Sequence, residues 1–500
     1  MNRIANNLSR RALLKSGAAI LGFSAIAPLA ALAGSQSSSR QPLRIPPLDQ
    51  GQMVDGQRKF DLAVGHGQMS FFSDVKTKTL GINGDYLAPV LRFRAGDKVQ
   101  LNVSNTLQEA TTLHWHGFNL PAASDGGPHQ VIKPGGDWTA EFEVREKAST
   151  MWYHSHLMGK TADQVWAGLA GMIIVDDEEA DALDLPDSYG IDDFPVVLQD
   201  RAFNSSGQIP YRLNMHSRNM GMAGDVALVN GTVAPYLDVT TSLVRLRLLN
   251  GSNSSIYSLG FTDGRAFQQI ASDGGLLAAP IETKMVRLAP GERAEIVVDM
   301  SDQTPAMLRT FVQAGEMGGM MRGMGRMMEG GSPQMDFLEL RPSANLKTSP
   351  ALPASLTDLP APNPQDATNS RQFVLQMQGM GMLNALTGGG FTINGKSMDP
   401  SYINEVVKMG ETEVWQISNA SMMAHPFHIH NTQFRILARD GAAPAAVEAG
   451  RKDTVLVNPG ETVHILIRFD HYTDDTRPYM YHCHILEHED AGMMGQFIVV

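Results

Sequence analysis

Apolar and polar residues alternate in short runs along most of the chain beyond residue 45, and the runs recur in a fixed order. Lys98-Val99-Gln100-Leu101-Asn102-Val103-Ser104-Asn105 puts its Val and Leu on one face. Similar runs extend from Leu243 to Asn250 and from Glu413 to Asn419, and all three end in asparagine. A period of two predicts strands with one buried face. Ahead of each run stand an Asn-Gly turn and a proline: Asn83-Gly84 with Pro89, Asn230-Gly231 with Pro235, Asn394-Gly395 with Pro400. After each comes a Pro-Gly turn with an acid: Pro134-Gly135-Gly136-Asp137, Pro290-Gly291-Glu292 and Pro459-Gly460-Glu461. Three features in one order, three times over, predict an all-β chain of three repeated sandwich domains. Their expected bounds are 45–185, 186–345 and 371–500. Residues 346–370, with five prolines among Ser, Thr, Asn and Asp, are expected to be a linker. Helix is expected only in short pieces, such as Asp163 to Ala170.

The first 33 residues fall outside this pattern. Ser9-Arg10-Arg11-Ala12-Leu13-Leu14-Lys15 has a twin-arginine signature, and an apolar stretch runs from Gly17 to Leu32. Ala31-Leu32-Ala33 offers a small-x-small cleavage site. The stretch is rich in Ala and Gly and broken by Pro28, which makes it weak as a membrane span. Residues 1–33 are therefore expected to be a twin-arginine signal peptide, with the rest soluble in a periplasm and free of the membrane. Removing Arg3, Arg10, Arg11 and Lys15, and no acid, takes the formal charge from −12 to −16. That balance disfavours nucleic acid and anionic membranes and mildly favours cations. Nothing indicates oligomerisation, so a monomer is expected.

The candidate chemistry centres on Tyr481-His482-Cys483-His484-Ile485-Leu486-Glu487-His488-Glu489-Asp490-Ala491-Gly492-Met493-Met494, which holds the only cysteine of the chain. A lone exported thiol makes no intramolecular disulfide, and a metal would occupy it. Two imidazoles, a thiolate and a distant thioether form the ligand set of a blue copper centre. On an extended backbone Cys483 faces one way and His482 and His484 the other, so metals on the two faces would be joined through a few covalent bonds. Fifteen histidines predict roughly half of one His-x-His pair by chance. Four pairs are present: His114/His116, His154/His156, His428/His430 and His482/His484. Eight imidazoles meeting between the outer repeats would hold a cluster of three metals, which leaves His425 and His488 to join Cys483 and Met493 at a fourth. The middle repeat carries no pair and reads as a spacer or cover.

With these motifs the chain resembles the multicopper oxidases, specifically the three-domain bacterial group of laccases and copper-efflux cuprous oxidases. The resemblance covers everything after the signal. It implies three cupredoxin-like Greek-key domains and four copper ions. By that resemblance His425, Cys483 and His488 are type 1 copper ligands with Met493 axial. His114 and His428 are type 2 ligands, and His116, His154, His156, His430, His482 and His484 are type 3 ligands. The implied reaction oxidises a reductant one electron at a time and reduces dioxygen to water. Asp125 and Glu489 match acids that deliver protons in the family.

The reductant is expected to be cuprous ion, with a role in copper tolerance. Met317, Met320, Met321, Met324, Met327 and Met328 lie in a Gly-rich run within 317–335, where a packed helix is costly. Soft thioethers select Cu(I), so these residues and Met423 are candidate substrate-copper ligands. Two features depart from the copper-efflux group. Its long Met-rich insertion early in the third domain is replaced here by the short stretch Met377 to Met382. The acid it carries just ahead of the type 1 histidine is replaced by Ser421. Alternatives are a laccase-like oxidase of phenols or aromatic amines and a non-catalytic cupredoxin scaffold, against which the complete ligand set argues.

Overall fold

The computed structural model of the chain describes residues 40–312, 334–377 and 390–500. Its strands form six sheets, two for each of the three sequence repeats. In each repeat the run ending in asparagine is a central strand. Lys98–Asn105 pairs parallel with Gln57–Met69, Leu243–Asn250 with Asp193–Arg201, and Thr412–Asn419 with Asn369–Met377. On its other side each pairs antiparallel with the strand opened by the Pro-Gly turn: Asp137–Glu143, Arg293–Asp299 and Thr462–Arg468.

The repeated asparagines have a physical task in common. Asn83, Asn230 and Asn394 adopt φ of 51°, 50° and 53°, the left-handed region that Asn tolerates. Each clamps the neighbouring strand with its amide. Asn83 accepts from Ala63 N–H and donates to Asp61 O, Asn230 accepts from Val197 and donates to Pro195, and Asn394 accepts from Val374 and donates to Gln372. The run-ending Asn105, Asn250 and Asn419 are buried, and each side-chain amide donates to one carbonyl of the following loop (Glu109, Ser255, Met423) and to one farther along the chain (Ile132, Leu288, Val457). The alternating positions face three cores. Val99, Leu101 and Val103 are buried in the first, Val244, Leu246 and Leu248 in the second, Trp415 and Ile417 in the third. Each such side chain contributes about 1.5–3 kcal/mol of burial.

Two expectations shift. The short helix is Thr161–Ala167, two residues earlier at its start, because the Asp490 carboxylate accepts from the N–H groups of Thr161 and Ala162. It ends at Gly168, φ +126°, and Ala170 already opens a strand. The expected linker is flanked by longer strands: Met335–Lys347 pairs Lys347 with Thr241, and Asn369–Met377 pairs Asn369 with Glu413. Between them the chain lies against the body, with Leu356 buried and its N–H donating to Ala278 O. Among the described residues no helix is long and apolar enough to cross a membrane.

Candidate metal centre

Each of the four histidine pairs has at least one member in a strand, and those strands bring the pairs together. His114–His116 pairs with the strand Ser149–His154, and His425–Ile429 pairs with Asp474–Cys483, placing His428 opposite His482. All eight imidazoles are buried. The His116 and His428 rings stack at 3.6 Å and the His114 and His430 rings at 3.9 Å, joining the first third to the last. Ring nitrogens come within 4.8 Å of one another in three groups: His114, His116 and His428; His116, His154 and His484; His156, His430 and His482.

Outer hydrogen bonds decide which nitrogen of each ring turns inward. The Nδ1–H groups of His114 and His428 donate to the carbonyls of Asp125 and Asp453, both at 2.8 Å. His154 donates to Ser155 O at 2.8 Å and His482 to Cys483 O at 3.1 Å, while His430 Nδ1 meets Asp125 Oδ2 at 2.8 Å. These rings therefore present Nε2 to the interior, and for His114, His154 and His428 that atom has no protein partner. His156 Nε2 and His430 Nε2 lie 3.1 and 3.3 Å from His482 Nε2. Lone pairs converging so closely repel unless a cation lies among them, so the donor set fits a bound metal.

Burial first, and neighbouring imidazoles second, hold the pKa values of His114, His116, His156 and His428 well below the usual histidine value. Burial brings His154 to about 3. Neutral rings are the metal-binding form. Asp125 and Glu489 stand at the edge of the cage. Glu489 Oε1 is 3.3 Å from His156 Nδ1 and Oε2 is 3.3 Å from His482 Nδ1. Burial, followed by the nearby Asp490, pushes its carboxyl well above the usual range.

A second site lies on the other face of the strand. His425 Nδ1 and His488 Nδ1 lie 3.4 and 3.7 Å from Cys483 Sγ, all three residues being buried. Met493 is buried in the same core, and its carbonyl accepts from the Cys483 N–H. Burial pushes the Cys483 thiol far up, so a thiolate here needs a metal to hold it. Ser421 Oγ meets His425 Nε2 at 2.7 Å, His488 Nε2 donates to Asn219 O at 2.9 Å, and Phe391 stacks on His488 at 4.2 Å.

Met423 packs in the core around Cys483, whereas Met317, Met320, Met321, Met324, Met327 and Met328 lie outside the described residues. The middle third is more than a cover. Its helix Met215–Met220 carries Asn219, and its Arg293 forms a buried ion pair with Asp453 at 2.6 Å, beside His116. Sequence patterns did not single out Arg293, Asp453, Asn219 or Phe391. The one available signal was the charged step Lys452-Asp453 set directly against the apolar run that follows.

Residues 63–180 and 363–500 each match a family model described as multicopper oxidase. The chain is 36% identical over 456 residues to "Multicopper oxidase mco" of Staphylococcus aureus, covering 90% of this chain and 91% of the relative. It belongs to the multicopper oxidases. A solved multicopper oxidase described as laccase-like, CueO from Ochrobactrum sp., superposes with a TM-score of 0.83 at 35% identity, over 92% of this chain and 100% of the other. The chain is also 36% identical, over 99% of both chains, to "Cell division protein FtsP" of Escherichia coli K12. The three sandwiches are accordingly cupredoxin-like domains. As a multicopper oxidase the protein is an oxidoreductase that uses copper, dioxygen and a reductant.

Proposed function

We propose that this multicopper oxidase carries four copper ions. Cys483, His425 and His488, with Met493 axial, would hold a type 1 ion. His114 and His428 would hold a type 2 ion. His116, His154, His156, His430, His482 and His484 would hold a type 3 pair. The observation that carries the reading is the cage of inward lone pairs, joined through His482 and His484 to the buried sulfur of Cys483 between them. Copper, when bound, supplies one-electron oxidation of the reductant and four-electron reduction of dioxygen to water.

The chain's own groups do the remaining work. Outer acceptors keep the imidazoles aimed, and burial keeps them neutral. Glu489, whose carboxyl is pushed well above the usual range by burial, stands 3.3 Å from two cage histidines as a proton site. Asp125 accepts from His430 through Oδ2, and its buried Oδ1 lacks a hydrogen-bond partner, which makes it a second proton site.

The reductant in this reading is cuprous ion. His425 and His488 are buried with their outer nitrogens occupied, so a phenol ring reaches neither edge. Thioethers stand outside instead. Met422, 65% exposed, adjoins Ser421, and Met215, 60% exposed, opens the helix carrying Asn219. A periplasmic monomer exported by the twin-arginine route and acting in copper tolerance accords with Arg10-Arg11 and the apolar stretch behind them. Laccase-like oxidation of phenols is the second reading, favoured by the Ochrobactrum relative, described as having oxidase activity towards lignin model compounds. A non-catalytic scaffold, the third reading, accords poorly with the full ligand set.

Steady-state rates with Cu(I) and with a phenol, in the full chain and in one lacking residues 317–335, test the substrate. Cu(I) efficiency is expected to fall about tenfold on deletion with the phenol rate unchanged. A phenol rate exceeding the Cu(I) rate in the full chain would favour the second reading.

A further inference from the structure

The middle third supplies no histidine to the cage, yet Arg293 reaches it. Arg293 opens the strand Arg293–Asp299 and is buried where the three thirds meet. Its Nη1 and Nη2 donate to Asp453 Oδ1 at 2.8 Å and Oδ2 at 2.6 Å. The rest of the guanidinium is spent on carbonyls of Thr150 in the first third and of Asp273 and Gly291 in the middle. Asp453, in the last third, completes the link. Its Oδ1 lies 2.9 Å from His116 Nε2 and accepts from Thr454 Oγ1 at 2.9 Å, and its carbonyl accepts from His428 Nδ1.

An ionised carboxylate only accepts hydrogen bonds. A neutral His116 must then carry its proton on Nε2 and turn Nδ1 inward, and that Nδ1 has no protein partner. His114, His154, His428, His430 and His482 are fixed the other way round, through Nδ1. The local backbone is shaped for the arrangement. Gly117 has φ +96°, and a Cβ there would stand 2.7 Å from Asp453 Oδ2 and 3.0 Å from Arg293 Nη2.

We propose that the Arg293–Asp453 pair positions the cage: it fixes His116 in the Nε2–H form, ties it to His428, and makes metal uptake in the cage depend on the middle third. The proposal rests on the cage being the copper cluster. Removing such an outer partner costs on the order of 10–100-fold in metal affinity.

The test is copper per chain, by atomic absorption, together with the visible band of the Cys483 site and thermal unfolding of the metal-free protein. These are measured for Asp453→Asn and Arg293→Lys in the full chain. Asp453→Asn is expected to keep the Cys483 band, to lose cage copper, and to consume oxygen at least about tenfold more slowly. Arg293→Lys, which keeps the charge without the two-pronged contact, should lie between it and the unaltered protein. A merely structural role would instead lower thermal stability and empty both sites together, and that outcome overturns the proposal. So does full copper occupancy in both variants. If Asp453→Asn does not fold, the Arg293→Lys copper count decides by the same criteria. If the unaltered protein takes no copper into the cage, the cluster reading fails instead.

Discussion

At Cys483 every side chain proposed as a ligand comes from the last third, and three of them lie within eleven residues of one another. In the histidine cage the rings come from the first and last thirds, and the groups that aim them come from all three. The first site draws its side chains from one sandwich and takes only the Asn219 carbonyl from the middle third, whereas the second exists only once the thirds have docked. The contrast also separates tasks. The Cys483 site contacts the outer shell through Ser421 and Asn219, while the cage is closed and holds its acids inside. An electron collector belongs near the surface, and a place where dioxygen is reduced belongs away from adventitious protons and reductants.

Breaking one site without the other sharpens this contrast most. Cys483→Ser should abolish turnover with every reductant and remove the visible band, while copper analysis still finds the cage ions. Loss of all copper would mean that the sites are not separable. Next in size, Glu489→Gln should slow oxygen reduction on the order of 10²-fold, and Asp125→Asn by less, with rapid reduction of the Cys483 site unchanged in both. Stopped-flow measurement of the two half-reactions checks this; equal slowing of both would remove the proton role.

Acid should act on the metal-free protein through the imidazoles. An unfolded histidine binds its proton near pH 6.5, whereas in the fold His488 titrates at about 4 and His154 at about 3. The unfolded chain therefore binds more protons below pH 6.5, and stability falls as pH drops from there toward 4. Glu146, Glu487 and Asp490, lifted to about 7 mainly by burial, act with the opposite sign over that range, as do the raised Asp200, Glu292 and Glu489, so the imidazole share is the part that bound copper removes. Copper should suppress the effect, and denaturant melts at pH 7 and pH 5 with and without copper test it. Smallest is Ser421→Ala. It leaves a buried His425 nitrogen unpaired, at about 1–3 kcal/mol, and should alter the Cys483 band while leaving cage occupancy untouched.

What could be read from the sequence follows the same division. The Cys483 stretch shows its ligands because they are close along the chain. The three sandwiches are visible because Asn83 and Asn394 each clamp a strand 20 residues away and Asn230 one 33 residues away. The aiming groups leave no such trace. Arg293 and Asp453 are 160 residues apart, and His116 and Asp453 are 337 apart. An ion pair that forms only across a domain junction has no period and no spacing, and neither partner differs in type from a surface charge. The middle third looked like a cover for this reason, since its part is played by a guanidinium and a helix carbonyl rather than by histidines.

The central claim is that electrons taken at Cys483 leave through the histidine cage to dioxygen. The most direct measurement is the oxygen consumed and peroxide formed per Cu(I) oxidised by the copper-loaded protein. One dioxygen per four cuprous ions, with no peroxide, is the predicted result. One per two with peroxide released, or no oxygen uptake by protein with a full complement of copper, would contradict the account.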